Sequence, residues 1–558
     1  MKIKQFIAPA ILFLGSVMLL SGCVKETFPE GGSVTTDQKE SDSFEDATAT
    51  VSTILITNYD DITGEHYEYG YAAMFGITDR MVGEIFPVAG NMPGGNQYYD
   101  RFQPWLYYSG LSLAPPYAPA AFIYRSYYAF IHEANIAIAI ATGRDDMKES
   151  LGVAKTFRAL YFLDLARLYD PLPAKAPNKP SYEAGLAAVE GLTVPKSVEG
   201  MTMEELENNP RMTREEIFTF IFEDLDEAET LLAEYAPRSK NLPSLAVVYG
   251  LKARAYLWLG GFTEGTGALP NGEAAYRKAA EFANKAITEA GGAVTTEAQW
   301  TDPKTGFNTV IPSWMWAMIQ SESTVLNNLL SFTAHHSVEA IYGYGSKAQP
   351  GMSIFSYNRM APGDFRKKVV VSPDRNFAAL APYTNYTEAE FEGDGLSSPI
   401  APLAVLKFRP KEGEKSNFTV ANATSIPMMR VEEMMLIEAE ATAHYDAGTG
   451  ASLLEAFMAK RATGYTVPNG VDLIDEIIFQ KRMEFWGEGI VAYDFKRLDM
   501  SMHNGDEGSN APAGNLYTTE GRSPVWNFVI PLSAEQQNKG MMGKNNPDPS
   551  QTLKSADE

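Results

Sequence analysis

Residues 79–117 set Arg80, Asn91, Asn96, Gln97, Tyr98, Tyr99, Trp105, Tyr107, Tyr108 and Tyr117 among glycines and prolines, and residues 335–357 place Tyr342 and Tyr344 beside glycines. Flat aromatic faces can cover the apolar side of a sugar ring while amides, carboxylates and guanidinium groups reach its hydroxyls. This is pocket physics, in which contact area combines with a few oriented polar groups. Arg80, Asn96, Tyr98, Trp105, Tyr107, Tyr342 and Tyr344 are therefore the candidate glycan-contacting residues. For any single aromatic the competing role is packing between loops and helices, and Trp316 and Trp486 are assigned to the core.

Other chemistry finds less support. The chain has no H-E-x-x-H, no G-x-S-x-G and no phosphate loop. His335 and His336 with Glu339 imitate a metal site, but a third ligand is not evident, and a histidine pair in a loop is expected to be solvated. Gly487-x-Gly489-x-x-Ala492 matches a dinucleotide fingerprint in letters only, because it follows an expected helix instead of a strand. A glycosidase needs two carboxylates at a set separation, which is a property of the fold. The expectation is a binding protein, not an enzyme, with no cofactor and no metal, although the acidic loops leave structural calcium open. A net charge of −24 disfavours nucleic acid as a partner.

The start of the chain reads as a targeting segment. Met1-Lys2-Ile3-Lys4 is basic, residues 6–20 are apolar, and Leu20-Ser21-Gly22-Cys23 follows. The apolar run suits a secretory signal and is too short to span a bilayer. Its ending resembles a bacterial lipobox, in which Cys23 is lipidated and becomes the mature N-terminus. Cys23 is the only cysteine, so the chain has no second thiol for an internal disulfide and the sulfur is best explained as the anchor, the competing reading being a cleaved signal with an incidental cysteine. Attachment to a membrane would then rest on acyl chains alone, at about 0.8 kcal/mol per buried methylene, with more than one chain needed for durable anchoring. Residues 23–48, rich in Ser, Thr, Glu and Gly, read as a solvated tether.

The elements that must position the candidate residues are mostly helices. Apolar residues recur at helical spacing over 121–141, 154–169, 214–232, 244–259, 274–290 and 430–445. Thr213 and Glu216 form a capping-box pattern, Gly260-Gly261 a stop, and Asp170-Pro171-Leu172-Pro173 another. Tyr276, Ala279, Ala280, Ala283 and Ala286 give 274–290 a small-residue face, so 245–290 looks like a tetratricopeptide helix pair. Residues 291–425 turn loop-rich, with 314–319 reading as a buried strand. In 474–497, Ile474, Ile477, Ile478 and Phe485 share a helix face while Arg482, Glu484, Glu488, Asp494 and Arg497 lie among them. Charges threaded between core aromatics call for paired partners, because an unpaired buried charge is costly.

That last stretch carries a family resemblance. Gln480, Arg482, Glu484, Phe485, Glu488, Gly489, Tyr493, Asp494, Lys496 and Arg497 resemble the C-terminal signature of the SusD/RagB outer-membrane nutrient-binding lipoproteins, with Gln480 in place of an acid and Val491 in place of an arginine. Further matches include Ala134-Asn135, Arg158 to Pro173, Asp364-Phe365-Arg366, Arg430 to Ala441 through Glu440, and Ile530-Pro531 with Asn546-Pro547. The resemblance implies a mainly α, SusD-like fold with TPR-like helix pairs and a loop-rich insert carrying a few short strands. The expected organisation is a signal peptide at 1–22, a lipidated tether at 23–48, and a single domain at 49–558 divided into 49–290, 291–425 and 426–558. It also implies a cell-surface lipoprotein of the outer membrane that hands an oligo- or polysaccharide to a TonB-dependent, SusC-like transporter. A RagB-like peptide binder is the alternative, followed by a TPR-type scaffold or a helical glycoside hydrolase.

Overall fold

The computed structural model describes residues 69–88, 119–325 and 327–549, together with residues 52 and 552. Residues 1–22, Cys23, the tether, and the candidates Asn96, Tyr98, Trp105 and Tyr107 lie outside the described residues. The N-terminal half is a succession of helices: α1 (Ala73–Met81), α2 (Pro119–Ala141), α3 (Lys148–Tyr169), α4 (Arg214–Leu231), α5 (Leu245–Gly260) and α6 (Gly272–Glu289). From α2 onward each packs on the next.

Local chemistry sets the boundaries. The Thr213 side chain accepts from the Glu216 amide while Glu216 accepts from the Thr213 amide, so α4 begins in a capping box. α3 ends where Asp170 turns extended ahead of Pro171, and the Asp170 carboxylate takes Arg214 Nε at 2.6 Å and Nη2 at 2.9 Å. The end of one helix is thereby tied to the start of another. Between α5 and α6 the small face formed by Ala275, Ala279, Ala283 and Ala286 is buried. Gly260 must be glycine for that approach, since a Cβ there would lie 2.5 Å from the Tyr276 ring. Asn135, on α2, bridges two partners: its amide donates to Ser197 O and its carbonyl accepts from Arg158.

The irregular middle contains β1 (Trp314–Ile319), the short helix α7 (Ile354–Arg359) and β2 (Ser425–Arg430). β1 and β2 pair antiparallel with Trp314 opposite Arg430 and Ile319 opposite Ser425. Trp316 is fully buried, 4.8 Å from the Phe157 ring of α3, and its indole donates to Asn241 O. The other described strands are short pairs, 86–87 with 350–351 and 192–195 with 211–213. The C-terminal part adds α8 (Val431–Ala443), α9 (Ala447–Met458), α10 (Leu473–Glu484) and α11 (Val491–Arg497), with α8 packed on α6, α9 and α10. One hydrophobic core runs from Tyr69 to Met541. Among the described residues no helix is long and apolar enough to cross a membrane.

The sequence reading of residues 335–344 needs correction. His335 and His336 are buried, not solvated. Gly343 and Gly345 lie against neighbouring backbone, where a Cβ would approach Ala334 O to 2.4 Å and Ser337 O to 2.5 Å. These glycines therefore serve close chain approach. Tyr344 is drawn inward with them, its ring 5.4 Å from that of His335.

Candidate functional site

α10 and the loop after it carry the charges that hold the centre of the molecule. Glu484 is wholly buried and accepts from Arg461 Nε and Nη2 at 2.9 Å each, from Arg430 at 3.1 Å and from Arg366 at 3.3 Å. Burial alone would raise its pKa, but Arg461, Arg430 and Arg366 outweigh it and hold the carboxyl well below the usual carboxylate range. Glu488 receives Arg430 on both oxygens at 2.9 Å and Lys407 at 2.5 Å. A second cluster joins Glu440 to Lys481 at 2.7 Å and to Arg497, while Asp494 takes Lys481 at 2.7 Å and Arg497 at 2.8 Å. Gln480 accepts from Arg366 at 2.5 Å and donates to Glu476 at 2.8 Å, filling a bridging position without adding charge.

Arg482 faces the other way. It leaves this network to meet Glu84 at 2.7 Å and Ser356 Oγ at 3.3 Å, and its side chain stays partly exposed. Glu84 belongs to a turn after α1 that C-terminal groups pin in place. Trp526 Nε1 donates to Met81 O at 2.8 Å, Asn504 Nδ2 to Gly83 O at 3.1 Å, and Trp486 Nε1 to Glu84 O at 3.0 Å. Asp79 Oδ2 accepts from the amides of Gly487 at 2.7 Å and Gly489 at 3.3 Å. Its Oδ1 is buried without a hydrogen-bond partner among the described residues. Burial, reinforced by the charge of Glu84, pushes the Asp79 carboxyl up to about 8, against the pull of the two glycine amides and Lys407.

The Arg482–Glu84 pair forms one wall of a cleft of about 380 Å³. Val82, Phe479, Phe495 and Met502 supply apolar lining. α7 contributes Phe355, Ser356 and Arg359, and the 501–507 loop contributes His503, Asn504, Asp506 and Glu507. α7 is set by Ser353 Oγ, which accepts from the Phe355 amide, and by Asn510, which accepts from Ile354 N and donates to Met352 O. The Arg359 guanidinium lies 4.2 Å over the Phe479 ring and pairs with Glu476 at 2.8 Å. Phe355 is 39% exposed. The cleft thus offers an aromatic face, guanidinium and amide donors, and carboxylate acceptors, which suits a ligand rich in hydroxyls.

The structure disperses the residues singled out from sequence. Arg80 is buried in α1, where Nη1 donates to Gly76 O at 3.2 Å and lies 3.4 Å from His336 Nε2. Burial, with the charges of Arg80 and His335, pushes the His336 ring well below the usual histidine range. Arg80 and Tyr344 are thus corrected from an exposed face to the interior. Tyr342 stays partly exposed, its hydroxyl donating to Asn422 Oδ1 at 2.5 Å and its ring edge-on to Phe418, which is itself 37% exposed. Phe355, Arg359, His503 and Glu507 escaped sequence reasoning. They come from two segments far apart in the chain, α7 and the 501–507 loop, and the only local signal is a serine cap ahead of an apolar pair at 353–355. Among the described residues no group of three or more His, Cys, Asp or Glu side chains is placed to hold a metal ion.

No family model matches the chain, and no curated protein matches its sequence. Solved structures do match. A SusD-like carbohydrate-binding protein from Bacteroides vulgatus superposes with a TM-score of 0.65 at 19% identity, over 90% of this chain and 98% of that one. A SusD superfamily protein from Bacteroides thetaiotaomicron gives 0.62 at 17%, over 91% and 100%. Surface glycan-binding protein A from Bacteroides thetaiotaomicron, solved in complex with laminarihexaose, gives 0.58 at 14%, over 90% and 99%. The chain has the SusD-like fold, a mainly helical architecture with a few short strands.

Proposed function

We propose that this protein is a lipid-anchored glycan-binding protein of the outer membrane, exposed at the cell surface, that captures an oligo- or polysaccharide and delivers it to a TonB-dependent, SusC-like transporter. The observation that carries the reading is the fold shared over 90% of the chain with a SusD-like carbohydrate-binding protein, alongside a neighbour solved with a bound glucan hexamer. The exposed Phe355 over a cleft lined with polar groups supports it, as does the surface pair Tyr342 and Phe418. Cys23 in its lipobox-like context supports the anchor.

Calorimetric titration of the full chain in detergent against polysaccharides and peptide digests tests capture. Saturable binding to one glycan class is the expected result, and binding to peptides alone would replace this reading with the RagB-like one. Metabolic labelling with a fatty acid, lost in Cys23→Ala, tests the anchor. Co-purification of a TonB-dependent barrel with the tagged chain tests the partner.

A further inference from the structure

We infer that the cleft beside Phe355 is a subsite for uncharged sugars, an inference that rests on the glycan-capture reading and adds to it a location and a chemical class. The Phe355 ring is 39% exposed at the mouth of a 380 Å³ cleft, a volume within the usual range of small-ligand sites. An exposed ring beside hydrogen-bonding groups is what the apolar face of a pyranose requires.

The charges around it select against an acidic sugar. Each guanidinium in the cleft already faces carboxylates: Arg359 meets Glu476 at 2.8 Å and Asp475 at 3.4 Å, and Arg482 meets Glu84 at 2.7 Å. His503 lies 3.0 Å from Asp506. Glu507 is exposed and enters no ion pair among the described residues. A uronate entering here would therefore meet Asp506 and Glu507 with no uncompensated cation to receive it, and like charges repel. Neutral hydroxyls meet no such barrier. They can donate to the two carboxylates and accept from guanidinium N–H groups, since Arg482 engages Glu84 through Nε and Ser356 through Nη2.

The test is titration of the full chain in detergent with laminari-, malto-, cello-, manno- and xylohexaose as uncharged probes and hexagalacturonate as the anionic one. The wild-type chain is expected to bind an uncharged hexasaccharide and to leave hexagalacturonate unbound. Phe355→Ala is expected to weaken the uncharged ligand about threefold to tenfold, with an unchanged melting temperature because the ring is on the surface. Glu507→Lys, an exposed substitution, is expected to bring hexagalacturonate binding into the measurable range. An uncharged ligand bound equally well by Phe355→Ala would overturn the subsite and leave glycan capture standing. Preference of the wild-type chain for hexagalacturonate would overturn the class alone. Binding to no hexasaccharide would take down capture and subsite together.

Discussion

Replacing Asp79 by asparagine should flatten the protein's dependence on pH. In the folded chain the carboxyl is buried beside Glu84, which pushes its pKa from 3.8 to about 8 even though the amides of Gly489 and Gly487 and the charge of Lys407 act in the opposite sense. Over the interval between those two values the folded protein keeps a proton that the unfolded chain has released. The contribution of this group to stability is therefore complete at acid pH, declines through neutrality and is fully lost once pH passes about 8. One proton per molecule corresponds to a slope of about 1.4 kcal/mol per pH unit. Asparagine preserves an acceptor for the Gly487 and Gly489 amides and does not ionise. The stability of the wild type minus that of Asp79→Asn should thus fall by about 1.4 kcal/mol for each pH unit from about pH 5 to pH 8 and level off above. Urea unfolding across that range, with the m-value checked at each point, measures the difference. A difference that stays constant, or that grows with pH, would show that Asp79 is ionised in the folded protein and would refute the argument.

Glu484→Gln removes a charge on which three arginines converge, leaving Arg461 in the core with only the longer carboxylate contact to Glu432 at 3.5 Å, and should cost about 3–5 kcal/mol by urea unfolding at neutral pH. A loss below about 1 kcal/mol would mean that the network rearranges around the amide. Because the Glu484 pKa is depressed, the stability it confers is present above the ordinary carboxylate range and is lost as pH falls below it, a trend that Glu484→Gln should lack. Gly489→Ala should cost at least about 2 kcal/mol, since Gly489 has φ +70° and the added Cβ would lie 2.5 Å from Phe75 Cα. Wild-type melting behaviour in that variant would contradict the close approach of α1 to this loop.

The long helices were legible in the sequence because their cores repeat at helical spacing and their ends carry recognisable stops. Thr213 with Glu216, and Gly260-Gly261 at the end of α5, are local signals with local outcomes. The buried charges were legible as a need for partners, but the partners were not. Arg461, Arg366 and Lys407 reach Glu484 or Glu488 from segments 23, 118 and 81 positions away. Tyr344 shows the opposite difficulty. Glycine neighbours suggest an exposed loop when only composition is read, whereas Gly343 and Gly345 are there because two backbones pass close together. The cleft was invisible for a related reason: Glu84, Phe355, Arg482 and Glu507 become neighbours only through the fold, and no spacing along the chain encodes that meeting.

The turn after α1 also has a bearing on how the molecule is made. Asp79 and Gly487 are 408 positions apart, and Met81 and Trp526 are 445 apart. Closure over such separations is slow and is rewarded only after its entropy has been lost. While the chain is being synthesised, α1 has no C-terminal loop to dock on, and the carbonyls of Met81, Gly83 and Glu84 lack the donors that later hold them. The Glu84 wall of the cleft is thus assembled only when the last segments arrive, so a prematurely ended chain would carry most of the helices yet present no finished pocket.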